Sequence, residues 1–332
     1  MARQRGSNHV RAICSRVHRT SSAGAATASA TLVAEASCLL VSTSALGSFA
    51  LASFRGGVAC WRCASVAQAR QAPRIAAFDY GKGPLLPIVR PFDNPYEAWT
   101  SRDATPDEML ASMQAGRFSL TVDDKLTARV TNERQAAEYM AACGVDNGLE
   151  GHIDRALAVD PGFQQWLRAM PGATPFALEA YQHEYPPADF GQVDLAIRNH
   201  GVALSPGQLL FHGGHIGFPS NGTLVTARPL STTFCPQVAL RQAEWRGKAY
   251  DADLVCLYLL HVIAPDTEAF VFDPNASDKG HEKEVLFASG TTLNLRAETA
   301  VRNDYIVHRL KDMRMEMESK PVTFYVCEVD VC

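Results

Sequence analysis

The apolar residues of this chain change their period once, near Gly201, and that change constrains the fold more than any other feature of the sequence. Before it the spacing is helical. Asn132-Glu133-Arg134-Gln135 reads as a capping box that opens a helix ending near Gly144. Pro161 stands at a first helical turn, followed by Phe163, Trp166, Leu167 and Met170 on one face. Asp189 and Gln192 form a second box leading to Phe190, Val193, Ala196 and Ile197, and Gly201 ends that helix. After Gly201 short β-rich runs follow: 208–212, 254–263, 268–272, 285–288, 291–295 and 322–329, interrupted by one helix from Pro236 to about Trp245. Helices followed by segregated strands indicate an α+β fold and argue against a doubly wound parallel sheet. Neither standard Gly-rich phosphate loop is present, so a nucleotide would have to be held in another way.

Three regions are expected: a leader over 1–74, a helical region over 75–200 and a β-rich core over 201–332. The leader holds nine arginines and one acid, Glu35, in a background of Ala, Ser, Thr and Gly, a mixture that makes no packed core. Such a segment suits targeting or secretion, and a start codon assigned too early would read the same way. Its most apolar stretch, 38–52, is broken by Ser42, Thr43, Ser44, Gly47 and Ser48, so no membrane span is expected. The net charge of −4 gives no basic field for nucleic acid or an anionic surface, and no nucleic-acid partner is expected. Nine cysteines, sparse and odd in number, do not read as a disulfide framework. Cys60 and Cys63 have the spacing of half a zinc site, but the other half is missing nearby, so no metal is expected.

Three segments carry candidate chemistry. In Leu209-Leu210-Phe211-His212-Gly213-Gly214-His215 an apolar strand ends in a polar residue and two glycines, where a ligand could approach bare backbone; a half-buried histidine before a turn is the plainer reading. Ser231-Thr232-Thr233 sets three hydroxyls at a strand end, able to donate to a carboxylate or a ribose, or simply to cap the next helix. Glu282-Lys283-Glu284 precedes the apolar run Val285-Leu286-Phe287. On a strand residues i and i+2 share a face, so Glu282 and Glu284 point together while Lys283 points away. Like charges projecting together repel, which a purely structural strand end tends to avoid.

In this order, over about Gly207 to Leu295, the segments resemble the ADP-ribosyltransferase family, whose usual signature is Arg, then Ser-Thr-Ser, then Glu-X-Glu. The loop from Asp273 to His281 resembles that family's substrate-recognition loop. The resemblance implies a split β-sandwich with NAD as substrate between its halves. Two positions depart from the signature. His212 stands where the arginine strand would end, as in the diphtheria-toxin-like branch, and Thr233 replaces the last serine. No arginine then sits at the strand end; Arg228 is the nearby candidate for a phosphate anchor.

Cleaving nicotinamide from ribose leaves an oxocarbenium-like sugar, which a carboxylate stabilises. The resemblance assigns that role to Glu284, positioned by Ser231. It has His212 contact a ribose, the Gly213 backbone hold the nicotinamide amide, and Ser231, Thr232 and Thr233 line the NAD site. Glu282 would orient the acceptor, and a carboxylate there fits a guanidinium in charge and fork geometry. The implied activity is mono-ADP-ribosyl transfer to a protein arginine, by an enzyme of toxin or effector type that is secreted or delivered into a host cell; without such delivery the place would be the cytoplasm. The alternatives are an NAD glycohydrolase, an inactive binding module on the same fold, and an adaptor acting through its helices.

Overall fold

A computed structural model describes residues 86–332 except 188, 265–267, 277 and 312–315. The leader and the Cys60/Cys63 pair lie outside the described residues. Among those residues no helix is long and apolar enough to cross a membrane.

The chain opens with an antiparallel pair, β1 (Tyr96–Asp103) and β2 (Thr121–Val130), running from Tyr96↔Val130 to Asp103↔Thr121. Helix α1 (Pro106–Gln114) connects them, closed by a capping box between Thr105 and Glu108, and buries none of its residues. This strand pair corrects the expectation of a purely helical stretch over 75–200. Both strands are exposed over most of their length, so neither shows the apolar alternation that marks a half-buried strand.

The helices follow as expected. In α2 (Glu133–Cys143) Asn132 caps the Gln135 N–H, and Gly144 ends the helix at φ 72°. The Gln135 side chain accepts from the Thr131 N–H at 2.9 Å, one residue beyond the N-cap that a regular box would use. Asp146 caps α3 (Asn147–Val159), and Asp160 caps α4 (Pro161–Ala169). Helices α5 (Phe176–His183) and α6 (Phe190–His200) form the last pair. Trp166 is fully buried, and its indole N–H donates to Pro87 O at 2.7 Å, satisfying the one polar group it takes into the core.

Among the described residues nine strands build the main sheet: β3 (Val202–Ala203), β4 (Leu209–Gly213), β5 (Thr223–Val225), β6 (Leu230–Thr233), β7 (Leu254–Val262), β8 (Glu268–Val271), β9 (Glu284–Phe287), β10 (Thr292–Lys311) and β11 (Glu316–Val331). Their order is β3-β8-β9-β6-β4-β7-β11-β10-β5, antiparallel except for the parallel pair β7 and β11. One residue pair, Phe211↔Thr233, joins β4 to β6, so the sheet has a waist with four strands on one side and five on the other. Strand β7 is buried along nearly all its length, which is why Leu254-Val255-Cys256-Leu257 reads as an unbroken apolar run. The protein is α+β, as expected.

The two faces of the four-stranded half are covered differently. Val271, Val285 and Phe287 join the main core with Trp166, Met140, Leu257 and Phe324. On the opposite face Phe270, Phe272, Leu286 and Ala288 pack under Leu178, Tyr181, Val193 and Ile197 of α5 and α6. Strand alternation puts Glu284 on the face of Leu286, beneath α5. Between β6 and β7 lie α7 (Pro236–Glu244), a short 3-10 turn and α8 (Lys248–Ala252).

Candidate active site

At the waist of the sheet His212, Ser231 and Glu284 come together. Glu284 is the first residue of β9, pairs with Thr233 on β6, and is only 5% exposed. Ser231 Oγ donates to its Oε1 at 2.5 Å, and Gln182 Nε2 of α5 donates to its Oε2 at 3.0 Å. Both carboxylate oxygens are therefore held in one orientation. Burial pushes the Glu284 carboxyl up to about 7 against the pull of these two donors, and the neighbouring Glu282 charge adds to the rise.

Glu282 and Glu284 do not share a strand, which corrects the alternation argument. Glu282 ends a 3-10 turn, Gly280–Glu282, and Lys283 follows in the left-handed region at φ 49°, before β9 begins. The turn is tight: a Cβ on Gly280 would lie 1.7 Å from Pro274 O. The Lys283 side chain is buried in the protein. Its Nζ lies 2.8 Å from Asp154 Oδ1 and donates to His281 O at 2.8 Å. Glu282 keeps a partly exposed side chain, with Lys279 Nζ 3.9 Å from its Oε1.

The three hydroxyls divide their duties. Ser231 serves Glu284. Thr232, 1% exposed, donates to Val285 O at 2.6 Å, and Thr233 donates to Glu282 O at 2.7 Å while accepting from the Cys235 N–H at 3.1 Å. The two threonines stitch β6 to β9 and to the head of α7.

His212 sits across the waist from Ser231. Its Nδ1 is 2.7 Å from Ser231 O, and a carbonyl only accepts, so the proton is on Nδ1 and Nε2 is left as an acceptor. Burial pushes its pKa down, and Lys248 and Arg228 push the same way, so the ring is neutral near pH 7. A Cβ at Gly214, which stands at φ 138°, would lie 3.7 Å from Nε2. A Cβ at Gly213 would fall 1.6 Å from Ala239 O of α7, so helix packing demands a glycine there.

Arg228 is exposed, and its Nη1 donates to Tyr185 Oη at 2.8 Å. Tyr185 in turn meets Tyr181 edge-on at 5.5 Å, and Tyr181 is itself under the influence of the Glu284 charge. Lys248 lies within electrostatic reach of both Arg228 and Arg246, and its own pKa is lowered, first by burial and then by those two cations. Sequence reading missed Gln182, Tyr181, Arg246 and Lys248. The helix α5 residues carry no motif, and the two cations follow α7 without any spacing that marks them. A cavity of about 280 Å³ lies among Ile88, Arg90, Phe92, Glu133 and Leu209 and contains none of these site residues.

No protein-family model matches the sequence, and no curated protein matches it. Among solved structures the chain is similar to the enzymatic component C2-I of the C2-toxin from Clostridium botulinum, at 9% identity and a TM-score of 0.31, over 51% of this chain and 46% of that one. It thus spans under half the length of C2-I. It is also similar to Vis toxin, an ADP-ribosyltransferase from Vibrio splendidus, at 12% identity and a TM-score of 0.26, over 70% of this chain and 88% of that one. Plx2a, an ADP-ribosyltransferase toxin from Paenibacillus larvae, aligns at 13% identity and a TM-score of 0.26, over 51% of this chain and 90% of that one.

Proposed function

We propose that the protein is a mono-ADP-ribosyltransferase that takes ADP-ribose from NAD, with Glu284 as the catalytic carboxylate. One observation carries the reading: a buried carboxylate, oriented by two donors and flanked by a second acid, stands at the waist between two half-sheets. Burial and orientation of this kind cost stability and contribute nothing to packing, which marks a group kept for chemistry.

In this reading the ionised Glu284 faces the anomeric side of the nicotinamide ribose and stabilises positive charge as the glycosidic bond breaks. Ser231 and Gln182 fix the carboxylate so that little reorganisation is needed at that moment. Neutral His212 accepts a hydrogen bond from a ribose hydroxyl through Nε2. Arg228 with Lys248 and Arg246 supplies the positive charge that a diphosphate needs, in place of the arginine missing at the strand end. Glu282, at the partly exposed edge of the site, holds the acceptor, and a guanidinium is the group its carboxylate fits best. Delivery into another cell is the setting such an activity would have.

Glu282→Ala separates the roles. Transfer of labelled ADP-ribose to a small guanidine should fall at least about tenfold, while release of nicotinamide to water should change far less. Equal losses in both reactions would refute the division between the two acids. If wild-type protein releases nicotinamide without labelling any guanidine or protein, the activity is NAD glycohydrolysis.

A further inference from the structure

We infer that Lys283 is a positioning residue whose buried ammonium, clamped to α3, turns the chain between the two site glutamates and so places Glu282 at the acceptor edge. This rests on the proposed transferase reading, to which it adds a residue that touches neither substrate nor acceptor.

Glu284 needs no such help. It is held by strand pairing to Thr233 and by Ser231 and Gln182. Glu282 lies outside the ladder, one residue before a non-glycine in the left-handed region. That conformation is disfavoured for a side chain with a Cβ and persists only where the surroundings hold it. Here the hold is visible. The Lys283 side chain is 1% exposed, its Nζ is 2.8 Å from Asp154 Oδ1 and 3.6 Å from Glu150 Oε1, and it donates to His281 O at 2.8 Å. Glu150 is fixed in turn, accepting from Gln237 Nε2 at 2.5 Å and lying 3.2 Å from Arg241 Nη1, both on α7. The clamp thus ties the turn that carries Glu282 to the helix that follows Ser231 and the two threonines. A lysine is seldom buried unless it is paired, and this one is fully paired at the position between two acids where a solvated side chain would serve the local turn equally well.

The test compares wild type with Lys283→Met and Lys283→Arg, measuring both nicotinamide release from NAD and ADP-ribosylation of agmatine as the guanidine probe. Lys283→Met should raise the agmatine KM or lower transfer by roughly tenfold or more, the scale expected when an orienting group is displaced by about an ångström, with hydrolysis kept within about threefold. Lys283→Arg should restore most of the transfer. An unchanged ratio of transfer to hydrolysis in folded Lys283→Met overturns the proposal. Should Lys283→Met fail to fold, Asp154→Asn weakens the clamp from its exposed end and should shift the ratio in the same direction; no shift overturns the proposal. If wild type releases no nicotinamide, the transferase reading fails on its own, and the clamp is judged by thermal unfolding of Lys283→Met, Asp154→Asn and the double variant. Non-additive Tm shifts support it, and additive shifts overturn it.

Discussion

Replacing Glu284 by glutamine should make the protein more stable and inactive together, by an amount set by pH. Burial raises this carboxyl from an ordinary glutamate value of 4.5 to about 7, so the folded protein holds the proton more tightly than the unfolded chain does. The sign follows from linkage. Below about pH 4.5 both states are protonated and the site has no charge to bury. As pH rises toward 7 the unfolded chain ionises first, and above 7 the folded protein carries a buried carboxylate at the full cost, on the order of 3 kcal/mol. Glutamine removes that charge and keeps both hydrogen bonds: its amide oxygen accepts from Gln182, and its NH₂ donates to Ser231 Oγ once that hydroxyl rotates. Melting Glu284→Gln beside wild type should therefore show nearly equal Tm values at pH 4.5 and a gain of roughly 6–12 °C for the variant at pH 8. A difference that did not vary with pH, or a variant less stable at pH 8, would refute the claim that burial has raised this carboxyl.

Three further outcomes are expected. In the proposed mechanism the working form of Glu284 is the carboxylate, so kcat/KM for NAD should rise with pH through an inflection near 7, set by the free enzyme; a profile flat from pH 5.5 to 8.5 would contradict that role. His212→Ala should lower turnover or raise the NAD KM by about tenfold, from loss of roughly 1–3 kcal/mol of hydrogen bonding, whereas exposed His215→Ala should stay near wild type in steady-state kinetics; the reverse order would move the site three residues along the chain. Gly213→Ala should yield little folded protein in circular dichroism and solubility assays, because its methyl would meet Ala239 O at 1.6 Å; a folded variant with reduced NAD binding alone would restore the view that the ligand demands this glycine.

Where burial repeats along one element, the sequence could be read. Phe163 and Trp166 mark the inner face of α4, and the runs at 254–263 and 285–288 mark β7 and β9 because those strands are buried on both faces. Strands β1 and β2 escaped because little of either is buried, and what is buried, Ala98 and Val130, shows no alternation. The pair β10 and β11 was legible only at its root, at 291–295 and 322–329, since beyond that the two long strands carry mostly exposed residues. In the candidate site, His212 was visible as a polar residue ending an apolar run, Ser231 as one of three hydroxyls at a strand end, and Glu284 as an acid at the mouth of an apolar strand. Gln182 was not, because its approach to Glu284 spans 102 positions of sequence and arises from how α5 lies over β9. The duties of Thr232 and Thr233 were equally hidden: a hydroxyl on a strand end looks the same in sequence whether it faces a ligand or a neighbouring carbonyl. Lys283 misled for a local reason, since alternation presumes extended backbone and this residue is left-handed.

The most direct measurement is release of nicotinamide from NAD by the purified full-length chain, followed with label on the nicotinamide and, in a parallel reaction, on the adenylate, with Glu284→Gln as the matched control. The account predicts that wild type releases nicotinamide and moves adenylate label onto a guanidine or a lysate protein, and that Glu284→Gln, equally folded, does neither. A folded wild-type protein that releases no nicotinamide at millimolar NAD, or a Glu284→Gln variant that releases it at the wild-type rate, would contradict it.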